Sequence, residues 1–253
     1  MTLNVLSAAL RRHGALLLAT LVPLAALLLM APIPQDPAYH LFADQRAWFG
    51  VPNFSDVVSS VPLIVVGAWG LRICLARPVQ GTSVGWLVFF AGITLVGAGS
   101  VYYHWAPGSD TLVWDRLPLT LVYTGFFIAL VSEWISARLA SLLVVPIVLA
   151  GLGSIVYWHY LDDLRMYAWV QLLPFLTIPV VMLFYRARHT HQHYLLIVLA
   201  IYVLARISEI FDREIFALSG HLVSGHTLKH ILAALAACVV LLMLKARTPI
   251  PAR

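Results

Sequence analysis

Charge is scarce in this sequence. Asp, Glu, Lys and Arg together make up only 11% of its 253 residues, against 61% hydrophobic, and the mean hydropathy is +0.90. A soluble globule carries roughly a quarter charged residues, so that class is excluded. Strict alternation of apolar and polar residues is also missing, which argues against a membrane barrel, whose strands face lipid and lumen in turn. Cysteine is nearly absent. Cys74 and Cys238 are the only two, both toward the ends of segments assigned below to the cytoplasmic half, so packing is expected of them and not a structural disulfide. No basic patch interleaved with aromatics accompanies the net charge of +5 and the pI near 9.4. The cations are scattered at the ends of apolar runs, so no nucleic-acid partner is expected. Internal repeats, linkers and low-complexity tracts are lacking too, and nothing points to a protein partner.

What is present is a series of apolar runs long enough to cross about 30 Å of hydrocarbon. They predict an all-α, polytopic transmembrane helical bundle with eight spans, at about residues 14–30, 57–76, 83–104, 117–132, 139–158, 166–185, 194–211 and 226–244. The first run follows Arg11 and Arg12 and resembles a signal peptide, but it is long and has no A-x-A-like cleavage site, so it is expected to be a retained helix. With the amino terminus placed inside, Arg72, Arg77, Arg138, Arg186, Arg188, Lys245, Arg247 and Arg253 join Arg11 and Arg12 on one side. The other side receives Asp36, Asp44, Asp56, Asp110, Asp115, Asp162, Asp163, Asp212 and Glu214. That is the positive-inside pattern, with both termini cytoplasmic. Trp48, Trp105, Trp114, Trp158 and Trp169 fall near the outer boundary as an aromatic belt would. Pro62, Pro118, Pro146, Pro174 and Pro179 are expected to bend helices, and Gly92, Gly97 and Gly99 to let helices approach closely. The histidine-rich HTHQH at 189–193 reads as a solvated basic loop.

Against this apolar background a few polar residues stand out in Ser100 to Asp115, SVYYHWAPGSDTLVWD, and in GHTLKHILAALA. His226 and His230 are four apart, which puts both imidazoles on one helix face, close enough to share a metal ion. Ser100 precedes His104 by the same spacing, and Asp115 is expected just before the fourth span, folding back over the end of the third. Each has a plain reading alone: His104 as an interfacial residue, Asp115 with Arg116 as a local ion pair and helix cap, and Ser100 as a small packing residue. Gathered at one membrane face they point to a site, because polar groups near lipid are costly. Three neutral imidazoles with an open fourth position fit a catalytic zinc ion better than a structural one. A metal transporter or sensor built on His104, Asp115, His226 and His230 is the alternative from another class. Within a span, Arg206 and Glu209 stand three apart and are expected to form an ion pair supporting the site.

The segments NFSDVVSSVPLIVVG, SVYYHWAPGSDTLVWDRLPLT and GHTLKHILAALA resemble the alkaline ceramidase family, in the superfamily of seven-helix membrane hydrolases. The resemblance runs from about Ala43 to Leu244. It implies a seven-helix hydrolase core at 43–246 with one extra N-terminal helix in front, within residues 1–42, and a short cytoplasmic tail at 247–253. It implies that His104, His226 and His230 bind Zn2+ and that Ser100 and Asp115 complete the catalytic site. The implied activity is hydrolysis of the N-acyl bond of a ceramide-like membrane lipid, giving a fatty acid and a long-chain amine, with the amide or ester of another acyl lipid as the nearest variant. In this scheme Asp115 moves the proton and Ser100 donates to the developing oxyanion. The eukaryotic ceramidases carry an acidic calcium site before the first core helix. This chain reads FADQRAWFGVPNFSD there, with Asp44, Asn53 and Asp56 as possible oxygen ligands but with Arg46 among them as a cation of the protein's own. The compact, Arg- and Ala-rich style points to a bacterial cytoplasmic membrane, with the site on its extracytoplasmic face.

Overall fold

In hydrocarbon a backbone amide finds no water, so a long apolar segment satisfies its own hydrogen bonds by coiling into a helix. A computed structural model, which describes residues 3–76 and 83–251, contains α1 (Leu3–Leu29), α2 (Phe54–Ala76), α3 (Val84–Trp105), α4 (Ser109–Leu130), α5 (Ala137–Leu161), α6 (Arg165–Phe184), α7 (Tyr194–Ile210), α8 (Asp212–Leu218) and α9 (Gly225–Ala246). No strand occurs among the described residues. Arg77 and Arg253, two of the cations placed inside above, lie outside them.

Among the described residues, seven helices are long and apolar enough to span a membrane: α1 through α6, with α4 taken as far as Ile135, and α9. The chain is therefore a helical membrane protein. The expected eighth span is the exception. Helix α7 has 17 residues, about 25 Å at 1.5 Å per residue, and reaches spanning length only together with α8, which bends away by 84°. The acidic run around Asp212 and Glu214 explains the bend, since those carboxylates leave the apolar layer instead of prolonging the helix.

Helix α4 is the centre of the bundle and the most buried of the spans, whereas α1 lies outside it, against α6. The Trp169 indole donates to the Thr20 carbonyl (2.8 Å), and the Arg165 guanidinium donates to the Met30 carbonyl (2.6 Å), tying α1 down. Trp86, Phe89, Phe90 and Phe126 form the aromatic heart between α3 and α4. At the end of the bundle remote from the predicted site, Glu133 accepts from the Trp86 indole and from Arg247, each at 2.5 Å. Also at that end, the 189–193 stretch is not a free loop, because His189 pairs with Pro249 and Thr190 N–H donates to the Thr248 carbonyl.

Two boundaries differ from expectation in a way that matters for the site. Helix α4 begins at Ser109, eight residues before the expected 117. Its polar opening Ser-Asp-Thr masks the start in a hydropathy reading, although the Thr111 hydroxyl bonds the Ala106 and Gly108 carbonyls and closes the turn. Asp115 therefore sits on the helix in its second turn, neither in a loop nor at a cap. Helix α2 starts at Phe54, directly after Asn53, whose left-handed φ of +44° is one that Asn tolerates.

The close helix contacts expected of the glycines are present. A Cβ on Gly99 would lie 2.0 Å from the Trp114 carbonyl oxygen, so only glycine lets α3 and α4 meet beside Ser100 and Asp115. Gly99→Ala is expected to lower stability by about 1–3 kcal/mol, as overpacking does. Gly153→Ala, with nothing within 4 Å, is expected to be neutral or mildly stabilising. Denaturant titration of both variants in mixed micelles checks the pair.

Candidate metal centre and adjoining cavity

Four helix ends converge at one end of the bundle: the starts of α2, α4 and α9 and the finish of α3. The finish of α3 carries His104 and the first turns of α9 carry His226 and His230; all three are buried, 1%, 4% and 5% exposed. One ligand nitrogen from each lies within 4.8 Å of the others. His104 Nε2 and His226 Nε2 are 3.3 Å apart. That is the edge of a tetrahedron with metal–nitrogen bonds of about 2.0–2.1 Å, roughly 3.3–3.4 Å. Among the described residues this is the only group of three or more His, Cys, Asp or Glu side chains so disposed.

The surroundings fix the rings for such a role. His230 Nδ1 meets the Asp56 carbonyl at 3.2 Å, the Ser59 hydroxyl at 3.0 Å and the Ser60 hydroxyl at 3.3 Å. These contacts leave Nε2 as the ligand atom, the outer-shell arrangement usual for metal-bound histidine. Helix α9 itself is anchored by Asp212, which accepts from the His226 N–H (2.7 Å) and the Ala43 N–H (2.8 Å), and by the Ser224 cap on Thr227 N–H (3.0 Å). The Phe42 ring packs on His104 and His226 at 4.7 and 4.6 Å between centroids. His104 Nδ1 is buried with no hydrogen-bond partner, so outer-shell support is clearest at His230. The three imidazoles, drawn from opposite ends of the sequence, can therefore hold a metal ion.

Ser100 and Asp115 come together beside this group. The Ser60 hydroxyl donates to Ser100 Oγ at 3.0 Å, and the Ser100 hydroxyl lies within reach of the Asp115 carboxylate. The local ion pair considered for Asp115 and Arg116 is not formed, since no described carboxylate pairs with Arg116. The expected pair of Arg206 and Glu209 does form. Glu209 also accepts from Lys229 Nζ at 2.6 Å and from the Tyr39 hydroxyl at 3.1 Å.

Asp115 borders a cavity of about 510 Å³, a size common for small-molecule sites. Its depth is apolar, with Leu63, Phe89, Ile93, Val96, Val122 and Phe126 among the walls, and its head is polar, with Tyr39, Asp115, Arg116, Gln171, Arg206 and Lys229. The histidines do not line it. Of Ser100, Asp115 and the three histidines, Asp115 alone lines it.

The loop before α2 holds its own cation. Asp44, buried in that loop, receives Arg46 Nε at 2.7 Å and Nη2 at 2.8 Å and the Ser55 hydroxyl at 2.9 Å. Burial alone would raise its pKa, but these hydrogen bonds hold the carboxyl below the ordinary value. Asn53 Nδ2 donates instead to the His104 carbonyl (2.8 Å) and Asp56 Oδ1 accepts from the Thr227 hydroxyl (2.7 Å), so the three side chains make separate contacts, with Asp56 Oδ2 buried and unpartnered.

Sequence reasoning gives no site role to Ser59, Ser60, Asp212 and Lys229, and gives Arg116 only that of a local partner for Asp115. For Lys229 and Arg116 a signal existed: an intramembrane cation is by default a functional candidate. Trp158 was assigned to an interfacial belt, where Trp48, Trp105 and Trp114 are indeed half exposed. It is instead buried against Arg116. No family model and no curated protein matches this chain.

Proposed function

We propose that the chain is a zinc-dependent membrane amidase that hydrolyses the N-acyl bond of a ceramide-like lipid, as the resemblance to the alkaline ceramidases implies. One observation carries the reading: a buried three-histidine group is linked through Ser60 and Ser100 to a carboxylate that lines a largely apolar cavity with a polar head. His104, His226 and His230 would hold the zinc, which supplies Lewis acidity for acyl hydrolysis at neutral pH. Asp115, aimed by Ser100, accepts a proton from the attacking water and returns it to the leaving amine, a base that becomes an acid. While Asp115 is ionised, the Ser100 hydroxyl is committed to it. Once the carboxylate takes up the proton it is a weaker acceptor, and Ser100 is freed to donate to the substrate oxyanion.

Charge distribution supports an extracytoplasmic site. By helix direction Arg72, Arg138, Arg186, Arg188, Lys245 and Arg247 lie at the end remote from the histidines, where the positive-inside rule puts the cytoplasm. Chain style favours a bacterial cytoplasmic membrane.

The test is to purify the protein in a neutral detergent, measure bound metals by mass spectrometry, and incubate it with ceramides, glycerolipids and aminolipids while following fatty acid release. Near one zinc per chain and release from N-acyl lipids is the expected result. Release only from esters would move the substrate to glycerolipids. Tight zinc with no lipid turned over would end the hydrolase reading in favour of transport or sensing.

A further inference from the structure

One buried cation at the head of the cavity lacks an acceptor. Arg116 follows Asp115 in α4, is 6% exposed and lines the cavity. Its guanidinium carbon lies 4.5 Å from the Trp158 ring centroid, 5.1 Å from that of Tyr39 and 5.4 Å from that of Tyr167. Nη1 is buried with no hydrogen-bond partner, and no described carboxylate forms an ion pair with the group. The other two cations of the cavity differ, because Lys229 and Arg206 both bond Glu209.

Taking a guanidinium out of water is unfavourable unless charge and hydrogen bonds are returned to it. Aromatic faces return part of the charge stabilisation and none of the in-plane hydrogen bonds. The cage therefore fixes the fork without satisfying it. It also closes the aromatic box to a quaternary ammonium headgroup, since the protein's own cation already fills it. A planar fork with an unpartnered Nη1 at the head of a largely apolar cavity fits a phosphate or carboxylate better than a hydroxyl.

We propose that Arg116 is an oxyanion receptor, and that the acyl lipid taken by the cavity carries a phosphate or carboxylate on its headgroup. This rests on the reading of the cavity as a lipid site and narrows the ceramide-like class to N-acyl lipids with an anionic headgroup. The carboxylate of a released fatty acid has the same chemistry, so the test separates the two sources.

Dodecyl phosphate, laurate, dodecanol and dodecyltrimethylammonium are titrated calorimetrically into the protein in a neutral maltoside detergent. Wild type is expected to bind dodecyl phosphate at least tenfold more tightly than the alcohol or the ammonium compound. Arg116→Gln is expected to bring the three within about twofold, Arg116→Lys to keep part of the preference, and His230→Ala to keep all of it. Equal affinities in wild type, or a preference untouched by Arg116→Gln, overturn the proposal. If Arg116→Gln does not fold, the wild-type comparison decides alone. Hydrolysis of N-acyl lipids with and without a phosphate headgroup is followed in parallel. Equal rates for both, with laurate binding as tightly as dodecyl phosphate, would make Arg116 a product site and overturn the headgroup assignment while leaving the hydrolase standing. Selective binding without turnover of any lipid would overturn the hydrolase and leave the receptor.

Discussion

Replacing His230 by alanine is expected to strip zinc from the purified protein and to abolish lipid turnover. Apparent zinc binding free energies for full structural sites are about 10–16 kcal/mol, so the loss of one ligand of three or four removes roughly 3–5 kcal/mol, or about 10²–10⁴ in affinity. The loss should be local. The groups that meet His230 Nδ1 have other partners: the Ser59 and Ser60 hydroxyls both reach the Asp56 carbonyl, at 3.2 and 2.8 Å, and Ser60 also reaches Ser100. A folded, metal-poor protein is therefore the expected product, not an unfolded one. Ser59→Ala gives a graded companion, because removing an outer-shell partner costs typically 10–100-fold in metal affinity. The measurement is metal content after equilibration against a graded chelator, with circular dichroism to confirm the helices. A His230→Ala protein that holds zinc at the wild-type ratio would remove this imidazole from the coordination set and leave His104 and His226 as an ordinary buried pair.

Helix identity was readable from the sequence because, in lipid, hydropathy and length nearly determine it: every long apolar run became a helix. Helix ends were less readable. The start of α4 was hidden by polar residues that are tolerated where the helix leaves the hydrocarbon, and α7, whose expected bounds of 194–211 nearly match the helix, was overrated as a span because its apolar run stops at Phe211 after only 17 helical residues. Of the site, the i,i+4 spacing of His226 and His230 gave their shared face, and the run of Ser100, His104 and Asp115 gave their common depth. Neither spacing says that the ends of α3 and α9 bring their histidines together. That meeting depends on α2, which packs against both helices, and on close approaches such as that of Gly225, where a Cβ would lie 2.0 Å from the Ser208 carbonyl of α7. Of the polar head of the cavity only the Arg206–Glu209 pair was legible, for the same reason. Lys229 and Glu209 are 20 residues apart and Tyr39 is 170 residues from Glu209, and only packing brings such groups to one place.

Asp115→Asn is the sharpest test of the chemistry, because asparagine keeps the shape of the side chain and can still accept the Ser100 hydrogen bond while losing the ability to take up a proton. If Asp115 transfers the proton, kcat should fall by about 10²–10⁴, the usual contribution of a positioned acid or base, with zinc content unchanged. The limb of the wild-type pH–rate profile that reports ionisation of this carboxyl should disappear in the variant. Ser100→Ala should fall in the same direction, up to about 10²–10³ if the hydroxyl reaches the oxyanion, but should keep that limb. Its effect and that of Asp115→Asn should combine less than additively, since the two side chains lie side by side. The metal and proton-transfer roles are thus separable: His230→Ala loses the ion, while Asp115→Asn keeps the ion and loses the rate. Wild-type kcat in a zinc-replete Asp115→Asn protein would transfer the proton to another group, and Lys229, on the same cavity wall, would be the next side chain to replace.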